Sequence, residues 1–120
     1  MGLKGEVDVA FLVLTLHDLY NFRGEDETIA LLKDIYAALK PGGVLGVVDH
    51  VGEASRSVDA RVLHRIEKSE AEHLLTSAGF EIDAESDMLR NPEDEHTKSV
   101  FDESIRRRTD RFVIRAIRPY

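Results

Sequence analysis

No cysteine occurs in the 120 residues. Disulfides, thiolate metal sites and a cysteine nucleophile are thereby excluded, which leaves histidine and the carboxylates as the strong ligand and acid-base groups. Long hydrophobic runs are missing as well. The longest, Val9 to Leu14, falls far short of the roughly 20 residues that span a bilayer, so no membrane segment is expected. Met1 to Asp8 is polar and mixed in charge, unlike the basic and then apolar start of a signal peptide, and a cytoplasmic location is expected. Nor is there an excess of positive charge. The formal net charge of -7 argues against nucleic acid, whose affinity comes largely from cations displacing counterions at phosphates. The basic cluster Arg106 to Arg108 is flanked by Asp102, Glu103 and Asp110; it reads as a solvated helix end paired with local acids.

What is present is the material of a core: 42% of residues are hydrophobic and 32% charged, in a chain of single-domain length. One domain over residues 1-120 is expected. Residues Val7 to Leu16, VDVAFLVLTL, carry one charge in ten positions and read as a strand buried on both faces, as in a parallel sheet. A polar loop containing Asn21 and Gly24 follows. From Asp26 to Lys40, the residues Ile29, Leu32, Ile35, Tyr36 and Leu39 recur at helical spacing, with acids at the start and a lysine at the end to suit the helix dipole. Pro41 forbids continuation and Gly42 and Gly43 can take the conformations that end a helix. Val44 to Val48, VLGVV, is then a second strand, and a strand, helix, strand unit of this length requires parallel pairing.

Farther on, Ser69 and Glu72 have the spacing of a capping box, Ala71, Leu74, Leu75 and Ala78 make an apolar stripe, and Gly79 closes the helix. Phe80 to Met88 alternates, with Phe80, Ile82, Ala84 and Met88 on one face and Glu81, Asp83, Glu85 and Asp87 on the other. An acidic outer row of this kind marks a sheet edge. A short helix is expected around Val100 to Arg107 and a last strand over Arg111 to Ile117, its Arg111 and Arg115 able to pair with the acidic row. The fold class is α/β with about four strands, the first two parallel and the last antiparallel, and flanking helices.

This order of elements, with "LTLHDLYN", "LKPGGVLGVVD" and "HRIEKSEAEHLLTSAGFEI", resembles the carboxyl-terminal half of class I S-adenosylmethionine-dependent methyltransferases, a Rossmann-like fold. The resemblance covers essentially the whole chain. "HDLYN" and "TDRFVIRAIRP" are similar to a bacterial branch of predicted methyltransferases of unknown substrate. It implies methyl transfer from S-adenosylmethionine to a small molecule in the intact family. The family's cofactor site, however, is built mainly from a glycine-rich loop after its first strand and an acidic residue after its second. Gly2 and Gly5 precede the first strand here and cannot serve that loop. Cofactor-binding residues are therefore unassigned, and the chain alone is expected neither to bind S-adenosylmethionine nor to catalyse. The strand over residues 7-16 lies inside the family's sheet, whereas here it would be an apolar edge. A homodimer through that strand is expected, with a separate chain carrying the amino-terminal half, a split enzyme, as the other partner considered. A dimer of this kind could equally be a small-ligand-binding or assembly module, with its crevice at the interface.

The segment after the family's fourth strand lies near the transferred methyl, a position held here by His17, Asp18, Tyr20 and Asn21. His17 and Asp18 are the catalytic candidates, since a His or Asp base can take a proton from a nucleophilic oxygen or nitrogen. Tyr20 and Asn21 are substrate-binding candidates. Asp49 and His50, at the carboxyl end of the second parallel strand, reach the same edge by the rule that such ends line the ligand crevice. His17, Asp18, Asp49 and His50 include donors suited to zinc or manganese, but ordinary loop polarity is the expectation and no metal is assigned. The resemblance places His64 and Arg65 over the substrate side. Arg65 could hold an anionic group, or simply pair with Glu67 or Asp59. His73 and His96 receive no role.

Overall fold

The computed structural model describes residues 3-52 and 63-120. These form four strands and two helices: β1 (Val7–Val13), α1 (Leu16–Ala38), β2 (Leu39–His50), α2 (Lys68–Ser77), β3 (Glu81–Ser86) and β4 (Arg111–Ile117). The sheet order is β1-β2-β4-β3. β1 runs parallel to β2, with Val13 opposite Val48, and β4 is antiparallel to both β2 and β3. This is the mixed α/β sheet anticipated from the sequence, with β1 and β3 at its edges. No described helix is long and apolar enough to cross a membrane.

One face of the sheet carries the core. Leu45 and Val47 of β2 and Phe112, Ile114 and Ala116 of β4 meet Leu16 and Leu32 of α1 and Ala71, Leu74 and Leu75 of α2, all buried. The opposite face is bare along β1, where Val9, Phe11 and Val13 are 48%, 71% and 53% exposed. Phe11 lies flat over Gly46, whose missing side chain leaves room for the ring. The expectation of a strand buried on both faces is thus corrected: its apolar run is continuous, but only Val7, Ala10 and Leu12 pack against the core.

Several boundaries also differ from expectation. β1 ends at Val13 because Leu14 takes a left-handed φ of 57°, and α1 begins two residues later. The expected loop around Asn21 is helical, interrupted only at Gly24, with φ 86° and ψ 175°. α1 stops at Ala38, and of the two following glycines only Gly42 has positive φ. In α2 the capping box does not form, since the Ser69 hydroxyl donates instead to Glu67 at 3.2 Å. Met88 is 77% exposed, beyond the end of β3. Val100 to Arg107 is a chain of turns rather than a helix. At its end Arg106, Arg107 and the following Arg108 are exposed, and Arg108 donates to the Ser104 carbonyl. Arg115 does pair with the acidic row, donating to Asp83 at 2.7 Å.

The end of α2 behaves as its sequence dictates. Phe80 N–H donates to Leu75 O and Gly79 N–H to Thr76 O, a Schellman closure. Gly79 has φ 105°, and an added Cβ would meet the Tyr36 ring at 3.2 Å. Replacing Gly79 by alanine is expected to lower the unfolding free energy by about 1–2 kcal/mol, the size of the left-handed penalty for a residue with a Cβ. Urea denaturation at unchanged m-value checks this.

Candidate functional site

Two parallel strands that end side by side bring their following residues together. The turn after β1 is made by Leu14 and Thr15, and the Thr15 hydroxyl donates back to Val13 O. α1 thus opens with His17 against the end of β2. There Asp49 is fully buried. Its carboxylate accepts the His17 backbone N–H at 2.7 Å, the His17 Nδ1–H at 2.6 Å and the His50 backbone N–H at 2.8 Å. The first of these satisfies an amide that the opening turn of a helix leaves without an intrahelical partner, and a negative charge at that end is favoured by the helix dipole.

His17 is 4% exposed. Its Nε2 faces away from Asp49 and lies 3.1 Å from Asp18 Oδ1, which is in turn 3.4 Å from His64 Nδ1. Burial, the largest influence, would lower the His17 pKa. The hydrogen bond and charge of Asp49, with the charge of Asp18, outweigh it and raise the imidazole above its ordinary value. Its contribution to stability is therefore complete below about pH 6.5 and is lost as pH rises through the raised value.

His50 has the opposite sign. Its Nδ1 meets the Thr109 hydroxyl at 2.6 Å, and burial lowers its pKa to about 4, against the raising influence of Asp49 and with help from the charges of His17, Arg111 and Arg65. It stays neutral over most of the acid range, so stability on its account falls as pH drops from about 6.5 toward 4. The two imidazoles are only 5.7 Å apart, yet one is proton-rich and the other proton-poor.

His64 reaches the cluster from the segment just before α2. Val51 and Ile66 form a parallel bridge, and Ile66 N–H donates to His50 O while Gly52 N–H donates to Ile66 O. His64 has a left-handed φ of 57°, and its ring packs edge-on against His17 and Phe101. The structure therefore gathers His17, Asp18, Asp49, His50 and His64 at one edge. Tyr20 packs instead against the core, beside Glu70; burial first, then that carboxylate, raises its phenol. Asn21 donates to Arg65 O at 3.0 Å, holding the His64 segment to α1.

Arg65, a substrate-binding candidate from the sequence, is engaged by partners within the chain. It is fully buried and forms a bidentate pair with Asp94, at 2.8 and 2.9 Å, and further bonds to Val51 O and Lys98 O. The partner is Asp94, not Glu67; Asp59 lies outside the described residues. Asp94 also accepts the backbone N–H groups of Asp110 and His96. Asp110 in turn accepts from Arg90, His96 and the Asn91 backbone. Burial alone would raise both carboxyl pKa values, but these bonds hold both below the ordinary range. This network was invisible in the sequence because Arg65 and Asp94 stand 29 positions apart, with no periodic signal between them.

No family model and no curated protein matches this sequence. Solved structures do match. The crystal structure of the 4+2 cyclase SpnF aligns over 98% of this chain and 51% of its own, with TM-score 0.67 and 21% identity. A SAM-dependent methyltransferase from Aquifex aeolicus gives 98% and 50%, 0.63 and 17%, and one from Methanosarcina mazei 99% and 63%, 0.63 and 17%. The chain has the fold of part of a class I methyltransferase and spans about half the length of the solved structures it matches.

Three outcomes are expected. In Asp49→Asn the His17 pKa, read by NMR titration, falls below 6.5 because burial then outweighs the remaining charge of Asp18, whereas His50 in the unsubstituted chain titrates near pH 4. Asp94→Ala, which leaves the buried Arg65 charge uncompensated, destabilises by about 3–5 kcal/mol in chemical denaturation.

Proposed function

We propose that this chain carries the substrate side of an S-adenosylmethionine-dependent methyl transfer to a small molecule, in the cytoplasm, and that it does not perform the reaction alone. The observation that carries this reading is the pairing of a partial methyltransferase fold with a His–Asp cluster at the carboxyl edge of its two parallel strands. In an open α/β sheet that edge is where ligands bind. His17, oriented by Asp49 through Nδ1, presents Nε2 toward Asp18 at the strand edge and serves there as a general base for the accepting atom. Asp18 and His64 flank it, and His50, neutral near physiological pH, lies behind.

The described residues do not by themselves fit the cofactor. The turn into α1 consists of Leu14 and Thr15 rather than glycines, and the α1 amino terminus is already met by the Asp49 carboxylate. Holding S-adenosylmethionine falls to further strands added along β1, where the free edge and the row of Val9, Phe11 and Val13 invite them. Without those strands, β1 pairs with its symmetry mate in a homodimer. A second reading, a small-ligand module working without methyl transfer, draws support from SpnF, which is described as a cyclase; fold alone does not choose between chemistries.

Titration of the purified chain with S-adenosylhomocysteine is expected to give no saturable heat up to millimolar ligand. Micromolar binding would overturn the assignment of the cofactor to added strands. Light scattering on the same sample is expected to give a dimer, and Phe11→Glu a monomer of unchanged fold. A monomeric parent chain would sink the self-pairing.

A further inference from the structure

Two groups among the described residues bring three His or carboxylate donors within 4.8 Å of one another: His17, Asp18 and His64, and Glu25, Glu70 and His73. The second lies on helix surface, where His73 and Glu25 are each about half exposed and form an ordinary solvated pair at 2.6 Å. The first is supported from behind. We propose that His17 Nε2, Asp18 Oδ1 and His64 Nδ1 bind a divalent transition metal ion, zinc foremost, with a fourth position open at the strand edge.

The spacing suits such an ion. Tetrahedral zinc with bonds of about 2.0–2.1 Å sets its donors roughly 3.3 Å apart. Asp18 Oδ1 stands 3.1 Å from His17 Nε2 and 3.4 Å from His64 Nδ1. Orientation is supplied too. A ligating imidazole ordinarily gives its other N–H to a carboxylate or carbonyl, which sets the tautomer and the ring direction. Asp49 does this for His17 at 2.6 Å, so the Nε2 lone pair points at the cluster. His64 is fixed by its neighbours: Arg65 is locked to Asp94, Ile66 is bonded to His50, and Phe101 stands 5.0 Å from the imidazole.

The donor set also chooses the metal. Two imidazoles and one carboxylate, with no thiolate in the chain, suit zinc or its probe cobalt better than the oxygen-seeking manganese, magnesium and calcium. One carboxylate leaves a net positive centre, so the open position would take a water or an anionic oxygen such as an alkoxide, phenolate or carboxylate. This set differs from the four residues that the sequence brought to mind. Asp49 and His50 do not join it: Asp49 is engaged with His17 and the His50 backbone, and His50 Nδ1 with Thr109. The inference does not depend on methyl transfer; with the ion bound, the Nε2 lone pair is engaged and the role of base passes from His17 to the metal-bound water.

The test is a titration of the untagged, chelator-dialysed chain with cobalt(II), read by its visible ligand-field absorption, followed by displacement with zinc and calorimetry of zinc alone. Expected are one equivalent bound at micromolar affinity, a tetrahedral cobalt spectrum, and at least a tenfold loss of affinity in both His64→Ala and Asp18→Asn. His73→Ala is expected to bind as the parent does. Binding weaker than millimolar, an octahedral hydrated spectrum, or sensitivity to His73→Ala without sensitivity to His64→Ala would each overturn the proposal. Circular dichroism of the variants separates loss of a ligand from loss of fold, and His64, only partly buried, is the substitution least able to disturb the core.

Discussion

A carboxylate with no solvent contact must be satisfied by its neighbours or it destabilises the fold. Asp49 is such a group, and its three acceptor bonds join the end of β2, the first turn of α1 and the His17 ring. The parallel register of β1 and β2 brings Asp49 beside the start of α1, and the bonds to Asp49 then determine where α1 begins and which way His17 faces. The opposed titration of His17 and His50 follows from the same arrangement. Asp49 points its oxygens at the first ring, and offers the second only charge against the cost of burial.

A second polar system supports the edge from beneath. Arg65, Asp94, Asp110, Arg90 and His96 tie the segment before α2 to the loop between β3 and β4. A buried ion pair adds little to stability compared with apolar packing, but it tolerates few alternative geometries. Here it fixes His64, one residue from Arg65, in a left-handed backbone conformation directly opposite His17. Backbone strain of that kind persists where surrounding contacts over-determine it. The Arg65 guanidinium, bonded to Asp94, Val51 O and Lys98 O, positions the residue beside it.

The bare face of β1 is the other organising fact. Apolar residues normally cluster on the side that helices cover, and α1 and α2 both cover the face bearing Leu45, Val47 and Ile114. Val9, Phe11 and Val13 therefore face outward, on an edge strand whose outer side has no neighbouring strand among the described residues. An edge of this composition is prone to pair with further strands. That property suits a chain whose fold spans about half of the structures it matches.

Much of this was legible from residue order alone, because local rules produced it. Alternation and apolar runs located β1, β2, β3 and β4, the stripe of Ala71, Leu74 and Leu75 located α2, and Gly79 its end, since these depend on the periods of strand and helix and on the freedom of glycine. The placing of His17, Asp18, Asp49 and His50 at one edge followed from parallel pairing. Tertiary structure alone decided the rest. Whether β1 was covered on one face or two depended on where the helices packed, and Asn21 lies within a helix whose opening His17 amide is met by Asp49 from another strand. The partners of Arg65 and the meeting of His64 with His17 and Asp18 arise from contacts between distant segments, which leave no trace in spacing or composition.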